Sequence, residues 1–285
     1  MNIKKYIRTN IKIILFFLLL VSIFVYLSLS RIREAFFTQQ YGINQLDAII
    51  YINLEERNDR KNLLIKELEK LKTDMSKVHK VSGVYMPKNG HKGCVQSHII
   101  ALNMIKMNNW NRVLILEDDA ELTMPAETVH SIINKSLKEL DKDYPEWNVI
   151  MLATANKVID KDYNKKNNEL NKKSLPIDLN IYTHTDTDTD EAKTHSLKLE
   201  KLKRATTSSA YIVKKEYVDT ILNLFNLSNN NMSPQNMFSK GYEPWALDQK
   251  WSQLQNHNMW FCMDKDPIKQ RAIWSTIQTN VRDNK

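Results

Sequence analysis

The run Val113-Leu114-Ile115-Leu116-Glu117-Asp118-Asp119 constrains this chain most. Four apolar residues in a row, with β-branched Val113 and Ile115, read as a short strand covered on both faces, and the run is too brief to span a membrane. It stops on three acids. Ligands of open α/β sheets gather beyond the carboxyl ends of the strands, which is where this arrangement holds Glu117, Asp118 and Asp119. Three carboxylates that close repel one another unless a cation sits among them, and a hard divalent ion suits such a set when a diphosphate must be held. The alternative is that Asp118 or Asp119 caps a following helix with Glu121 in its first turn, although capping asks for one acid rather than three.

Around this run the chain alternates. Residues 47 to 54 read as a second buried strand ending at Asn53, and residues 58 to 72 carry Leu63, Leu64, Ile65, Leu68 and Leu71 as a helical stripe. Arg57 and Arg60 fall where that strand turns into that helix, placed either to fork an anionic ligand or to pair with Glu55, Glu56 or Asp59 at the surface. Residues 78 to 84 form a short strand and Pro87 to Gly90 a turn. The helix expected from Gly93 to Ile105 carries Ser97 and His98 near its start, beside the strand edges. A lone histidine in that position is also explained as a hydrogen-bonded core residue. A helix over 126 to 140 and a buried strand over 147 to 152 complete a pattern that implies a mainly parallel sheet with helices on both faces.

Composition narrows the function. Only 5 glycines occur among 285 residues, and no glycine-rich dinucleotide or P-loop pattern is present. The net charge of +8 is scattered or lies in Asn/Lys-rich loops, so the chain does not read as a nucleic-acid binder. A solvated basic surface, or attraction to anionic membranes and phosphate-bearing substrates, accounts for it.

At the amino end, the apolar run from Ile13 to Leu29 is long enough, with its flanks, to cross a bilayer. Lys4, Lys5, Arg8 and Lys12 precede it, which predicts a cytosolic tail over 1–12, an anchor over 13–30 and a stem over 31–45. The protein is then a single-pass type II membrane protein with its remaining residues, 46–285, on the lumenal or extracytoplasmic side. A cleaved leader ending at Ser28-Leu29-Ser30, followed by secretion, is the alternative. In an oxidising compartment Cys94 and Cys262 could pair; they are equally plausible as small buried hydrophobes.

Three blocks, in order, resemble glycosyltransferase family 25, the group of bacterial lipooligosaccharide and animal procollagen galactosyltransferases. They are Tyr51 to Arg60, similar to INLDRRxDR; Gly90 to His98, similar to GExGCxxSH; and Val113 to Asp119, similar to a strand ending in EDD. The likeness continues through Trp147 to Leu152 and Ala205 to Val213. It implies a GT-A-like, Rossmann-type α/β fold and a UDP-sugar donor, usually UDP-galactose or UDP-glucose. It also implies Mn²⁺ or a similar ion such as Mg²⁺, with Asp119 and Glu117 as metal ligands. Asn53, Arg57, Arg60, Ser97, His98, Glu117 and Asp118 are the nucleotide-sugar-binding candidates.

Downstream, residues 157 to 203 turn to Lys, Asn, Asp and Thr, and that composition predicts a disordered insertion. Its Thr185 to Asp190 repeat mimics a D-x-D metal motif, but no buried strand presents it. Residues 208 to 213 read as a strand and 214 to 225 as a helix. In Gly241 to Trp251, Trp245 and Trp251 flank Asp248. Aromatic faces suit the apolar side of an acceptor sugar, and the carboxylate could take a proton from its hydroxyl. The other explanation is that Asp248 caps a helix starting near Gln249 while the tryptophans are core.

The expected activity is therefore hexosyl transfer from a UDP-hexose to a hydroxyl of a glycan or glycoprotein, metal-assisted and, by the family likeness, inverting. A metal-dependent phosphohydrolase could use the same acids, although no Ser, Cys or His stands beside them. An inactive glycan-binding module of the same fold is the third possibility, because Glu55-Glu56 and His91-Lys92 depart from the family pattern.

Overall fold

A computed structural model describes residues 18–28, 41–163, 175–183, 193–235 and 243–272. Its helices are α1 (18–28), α2 (Asn58–Lys70), α3 (Gly90–Asn108), α4 (Ala126–Asp143), α5 (Lys215–Asn231), α6 (Leu247–Lys250) and α7 (Ser252–His257). The first strands are β1 (Ala48–Asn53), β2 (Val78–Ser82), β3 (Arg112–Glu117) and β4 (Ala120–Leu122). They are followed by β5 (Val149–Met151), β6 (Ala155–Ile159), β7 (Ile177–Asp178), β8 (Ile181–Thr183), β9 (Lys193–His195), β10 (Lys198–Thr206), β11 (Ala210–Lys214), β12 (Trp260–Met263) and β13 (Ile268–Gln270).

The central sheet runs β2-β1-β3-β11-β5-β12-β10-β6, with β7 paired to β10. Strands β2, β1, β3, β5 and β12 share one direction, and β11 runs against both of its neighbours. The expected mixed α/β, mainly parallel architecture is present, with β11 reversed at its middle and β10 reversed toward one edge. The chain leaves β1 for β2 on one side and returns to β3 on the other. That reversal opens a crevice beyond the carboxyl ends of β1 and β3, the usual ligand position in such sheets.

Side-chain alternation builds two cores. Ile49, Leu114, Leu116, Ile150 and Ile212 face α2 and α4 through Leu64, Leu68, Val129, Ile132, Ile133 and Leu137. Ile50, Val113, Ile115, Val149 and Val213 face α3 and α5 through Val95, Leu102, Ile105, Val218, Ile221 and Phe225. The unbroken apolar runs of β1 and β3 follow from this, because helices cover both faces.

The segment 157–203 is not disordered throughout, contrary to the expectation. Strand β10 joins the main sheet between β12 and β6, and Leu175, Ile177, Leu179 and Ile181 are buried while Pro176, Asp178 and Asn180 between them are exposed. The apolar residues are few but spaced by two, so every one reaches the core. The Thr185–Asp190 repeat lies outside the described residues. The domain also begins before residue 46: Ile43, inside the expected stem, is fully buried and belongs to the core. Among the described residues, no helix is long and apolar enough to cross a membrane. Helix α1 covers part of the expected anchor; residues 13–17 and 29–30, like the tail over 1–12 and most of the stem, lie outside the described residues. Cys94 on α3 and Cys262 on β12 are free thiols.

Candidate active site

Glu117 is the last residue of β3, and Asp118 and Asp119 form the turn into β4, so none of the three caps a helix. Asp118 and Asp119 are buried. They are held by a cation from within the chain: Arg60, in the first turn of α2, contacts Asp118 Oδ1 at 3.0 Å through Nη1 and Asp119 Oδ2 at 2.5 Å through Nη2. The short turn after β1 brings this about, since it starts α2 at Asn58 and aims its third residue back at the crevice. From the end of β1, Asn53 Nδ2 donates to Asp118 Oδ2 at 2.8 Å and to the Arg57 carbonyl at 3.0 Å.

The loop between β10 and β11 supplies further restraint. The Ser208 hydroxyl donates to Glu117 Oε1, and Ser209 Oγ donates to Asp119 Oδ1 at 3.4 Å. Thr207 adopts φ +72°, a costly conformation for a β-branched residue, and in it its N–H donates to Asp248 Oδ2 at 3.3 Å. Gln270 at the end of β13 donates to Asp119 Oδ2 at 3.1 Å, and the Arg271 N–H donates to the Asp119 carbonyl at 2.7 Å. The sequence singled out none of Thr207, Ser208 and Ser209 individually. Their only signal there was the Ala205–Val213 block.

From α3, His98 places Nδ1 3.0 Å from the Tyr211 hydroxyl and Nε2 3.3 Å from Glu117 Oε1. Gly93 permits this placement, because a Cβ there would lie 2.3 Å from the Val84 carbonyl. Ser97, one turn on, accepts from Val84 N–H at 2.8 Å and donates to the Gly93 carbonyl at 2.7 Å. Both Ser97 and His98 line the cleft together with Asn53, Arg60, Glu117, Asp118, Asp119 and Gln270.

Charge in this rim is unbalanced, with three carboxylates facing one buried guanidinium. Burial, reinforced by the charge of Glu117 and opposed by Arg60, pushes Asp119 up to about 6. Burial also raises Asp118, against the pull of Arg60 and Asn53. Burial alone would raise Glu117 as well, but hydrogen bonds from His98 and Ser208 and the charge of Arg60 carry it below the usual carboxylate range. Hard oxygen donors with excess negative charge fit a divalent ion such as Mn²⁺ or Mg²⁺, with Glu117 and Asp119 as the expected ligands.

Other expected site residues separate into those near the cleft and those away from it. Arg57 is largely buried but its fork is taken by Asp59, at 2.9 Å from both Nε and Nη2, which is the surface pairing weighed from the sequence. Asp248 lies in the first turn of α6, whose N-cap is Ala246, so it is not the cap. Burial raises its carboxyl above the usual range, with the charge of Glu117 adding to the shift. Trp251 is not an acceptor platform. It is fully buried, donates from Nε1 to the Ala205 carbonyl at 3.3 Å and packs edge-on to Tyr211 and Trp260. The turn after Pro244 winds α6 and α7 so that Trp251 points into the core while Trp245 stays half-buried against its edge, with Lys250 Nζ 3.9 Å above its ring.

Among solved structures, the chain is similar to A197 from STIV, at 10% identity over 81% of this chain and 87% of that one, with a TM-score of 0.37. It is likewise similar to a glycosyltransferase involved in glycosylation of the major capsid of PBCV-1, at 11% identity over 82% and 96%, with a TM-score of 0.39. A third, mannose-1-phosphate geranyltransferase from Thermus thermophilus, has 9% identity over 81% and 76%, with a TM-score of 0.35. No curated protein matches the chain. A family model described as glycosyltransferase family 25 (LPS biosynthesis protein) matches residues 79–234, a span that holds α3, the acidic rim and the Thr207–Ser209 loop. Since that match extends over more than half of the sequence, the chain belongs to glycosyltransferase family 25.

Proposed function

We propose that this transferase moves a hexose, galactose or glucose, from a UDP-sugar to a hydroxyl of a glycan or protein acceptor, with inversion at the anomeric carbon. The observation that carries the reading is the under-compensated acidic rim at the β1/β3 crevice, where Asp118 and Asp119 share one guanidinium, that of Arg60, and Glu117 meets His98 and Ser208. A divalent ion bound by Glu117 and Asp119 supplies positive charge against a departing diphosphate. Arg60 and Asn53 keep Asp118 and Asp119 fixed, so the donors are already oriented before substrate arrives. The buried Oδ1 of Asn53 has no partner among the described residues and offers an acceptor to an N–H or hydroxyl of the nucleoside.

Asp248, whose carboxylate accepts from the Thr207 N–H beside Ser208 and Ser209, acts as the general base. The acceptor oxygen bonds to the anomeric carbon as the bond from that carbon to the diphosphate oxygen breaks, and Asp248 takes the acceptor proton. A raised carboxyl suits this role, because a more basic carboxylate is the better proton acceptor. Half-buried Trp245, with Lys250 over its ring, borders the acceptor side.

The test is a donor panel: the full chain with Mn²⁺, each common UDP-sugar and a hydroxyl acceptor mixture, scored for UDP release beside Asp119→Ala. One or two donors react, and the variant loses at least about 100-fold, as removal of a charge partner at the transition state should. Phosphate release from simple phosphate esters, without glycosyl transfer, would overturn the reading.

A further inference from the structure

Cys94 and His98 stand four residues apart on one face of α3, and Glu117 meets them from the end of β3. One ligand atom from each of the three lies within 4.8 Å of the other two. We propose that Cys94, His98 and Glu117 form a three-ligand site for Zn²⁺, with an open fourth position toward the cleft.

Several features suit such an ion. The separation of 3.3 Å between His98 Nε2 and Glu117 Oε1 equals the edge of a tetrahedron with metal bonds of about 2.0 Å. The other ring nitrogen of His98 faces the buried Tyr211 hydroxyl at 3.0 Å, and a partner there is what fixes the tautomer and ring orientation of a ligating histidine. Ser208 donates to Glu117 Oε1, which holds that ligand from outside the set. All three side chains line the cleft, so the fourth position is open to water or to an oxygen of a bound molecule.

Donor chemistry separates this position from the hard oxygen rim beside it. A thiolate and an imidazole select Zn²⁺ or Co²⁺ over Mn²⁺ and Mg²⁺, whereas Asp118 and Asp119 offer only oxygen. Glu117 is shared, so an ion at Cys94 and His98 withdraws that carboxylate from the hard-cation set. The site goes beyond the transfer reading and needs no nucleotide, so its test is independent of activity.

The experiment titrates the reduced full chain with Co²⁺ and then displaces it with Zn²⁺, following absorbance. One equivalent of Co²⁺ should give a thiolate-to-cobalt charge-transfer band with intense visible bands of tetrahedral type, and Zn²⁺ should erase both. Cys94→Ala should abolish the charge-transfer band and weaken Zn²⁺ by at least about 100-fold in competition with a chromophoric chelator. That exceeds or matches the 10–100-fold cost of losing an outer partner of a metal ligand. Cys262→Ala should change neither, and circular dichroism should report the native fold in both variants. An octahedral spectrum without the charge-transfer band overturns the proposal, as does unchanged Zn²⁺ affinity in Cys94→Ala or loss of the band in Cys262→Ala.

Discussion

The guanidinium of Arg60 and the carboxylate of Asp119 meet at 2.5 Å although 59 residues separate them, and both side chains are at least nine-tenths buried. Through this contact the first turn of α2 is locked to the end of β3, and the acidic rim has a resident cation. Removal of Arg60 would leave three carboxylates without their internal counter-charge. Arg60→Met should destabilise the fold by about 3–5 kcal/mol, the usual cost of breaking a buried pair. Urea unfolding measures the loss, and Mn²⁺ should raise the melting temperature of this variant more than that of the wild type. Equal stability of the two chains would contradict the assignment.

Asp119 gives the rim a pH signature. Its carboxyl is raised from 3.8 to about 6 by burial and by Glu117. A folded-state value above the unfolded one favours the protonated form in the fold. The stabilisation is therefore fully present below pH about 3.8 and is lost as pH rises through about 6. In chelator, Asp119→Asn should gain stability relative to wild type between about pH 4 and pH 7, on the order of 2–3 kcal/mol. A stability difference that stays flat over that range would count against the raised value.

The two tryptophans around Asp248 should behave differently. Trp251 is fully buried, so Trp251→Ala should cost about 3–5 kcal/mol in an unfolding titration. Trp245 is half-buried. Trp245→Ala should cost under about 1 kcal/mol in packing and cation–π contact, and should raise the KM for acceptor more than that for donor.

In the proposed reaction Asp248 removes the acceptor proton, and the Thr207 N–H holds one of its oxygens at 3.3 Å. Asp248→Asn keeps that acceptor and the shape. It should lower kcat by about 10²–10⁴-fold, leave UDP affinity unchanged and not lower the melting temperature. Loss of UDP binding in this variant would reassign the residue to the donor side.

The sheet was largely legible because β1, β3 and β5 are apolar runs, and the helices between them carry 3.6-residue stripes. The acidic ending of β3 lines the crevice. What the sequence concealed depends on contacts far along the chain. Ser208 and Glu117 are 91 residues apart, and Gln270 and Asp119 are 151 apart, so no local pattern announces either hydrogen bond. Arg60 was visible as a candidate, but its partners were not, and a guanidinium within the rim was not anticipated. Two tryptophans around an acid look symmetric in sequence until α6 and α7 set their faces and bury Trp251. Average composition concealed β10 and the buried alternation at Leu175, Ile177, Leu179 and Ile181, where the spacing rather than the number of apolar residues decides burial.

Isothermal titration calorimetry of UDP in the presence of Mn²⁺, on wild type and on a Glu117→Gln/Asp119→Asn double variant, tests the central claim most directly. The account predicts manganese-dependent UDP binding to wild type that weakens at least about 100-fold in the variant, whose circular dichroism stays native. Equal affinity in the two proteins would contradict it.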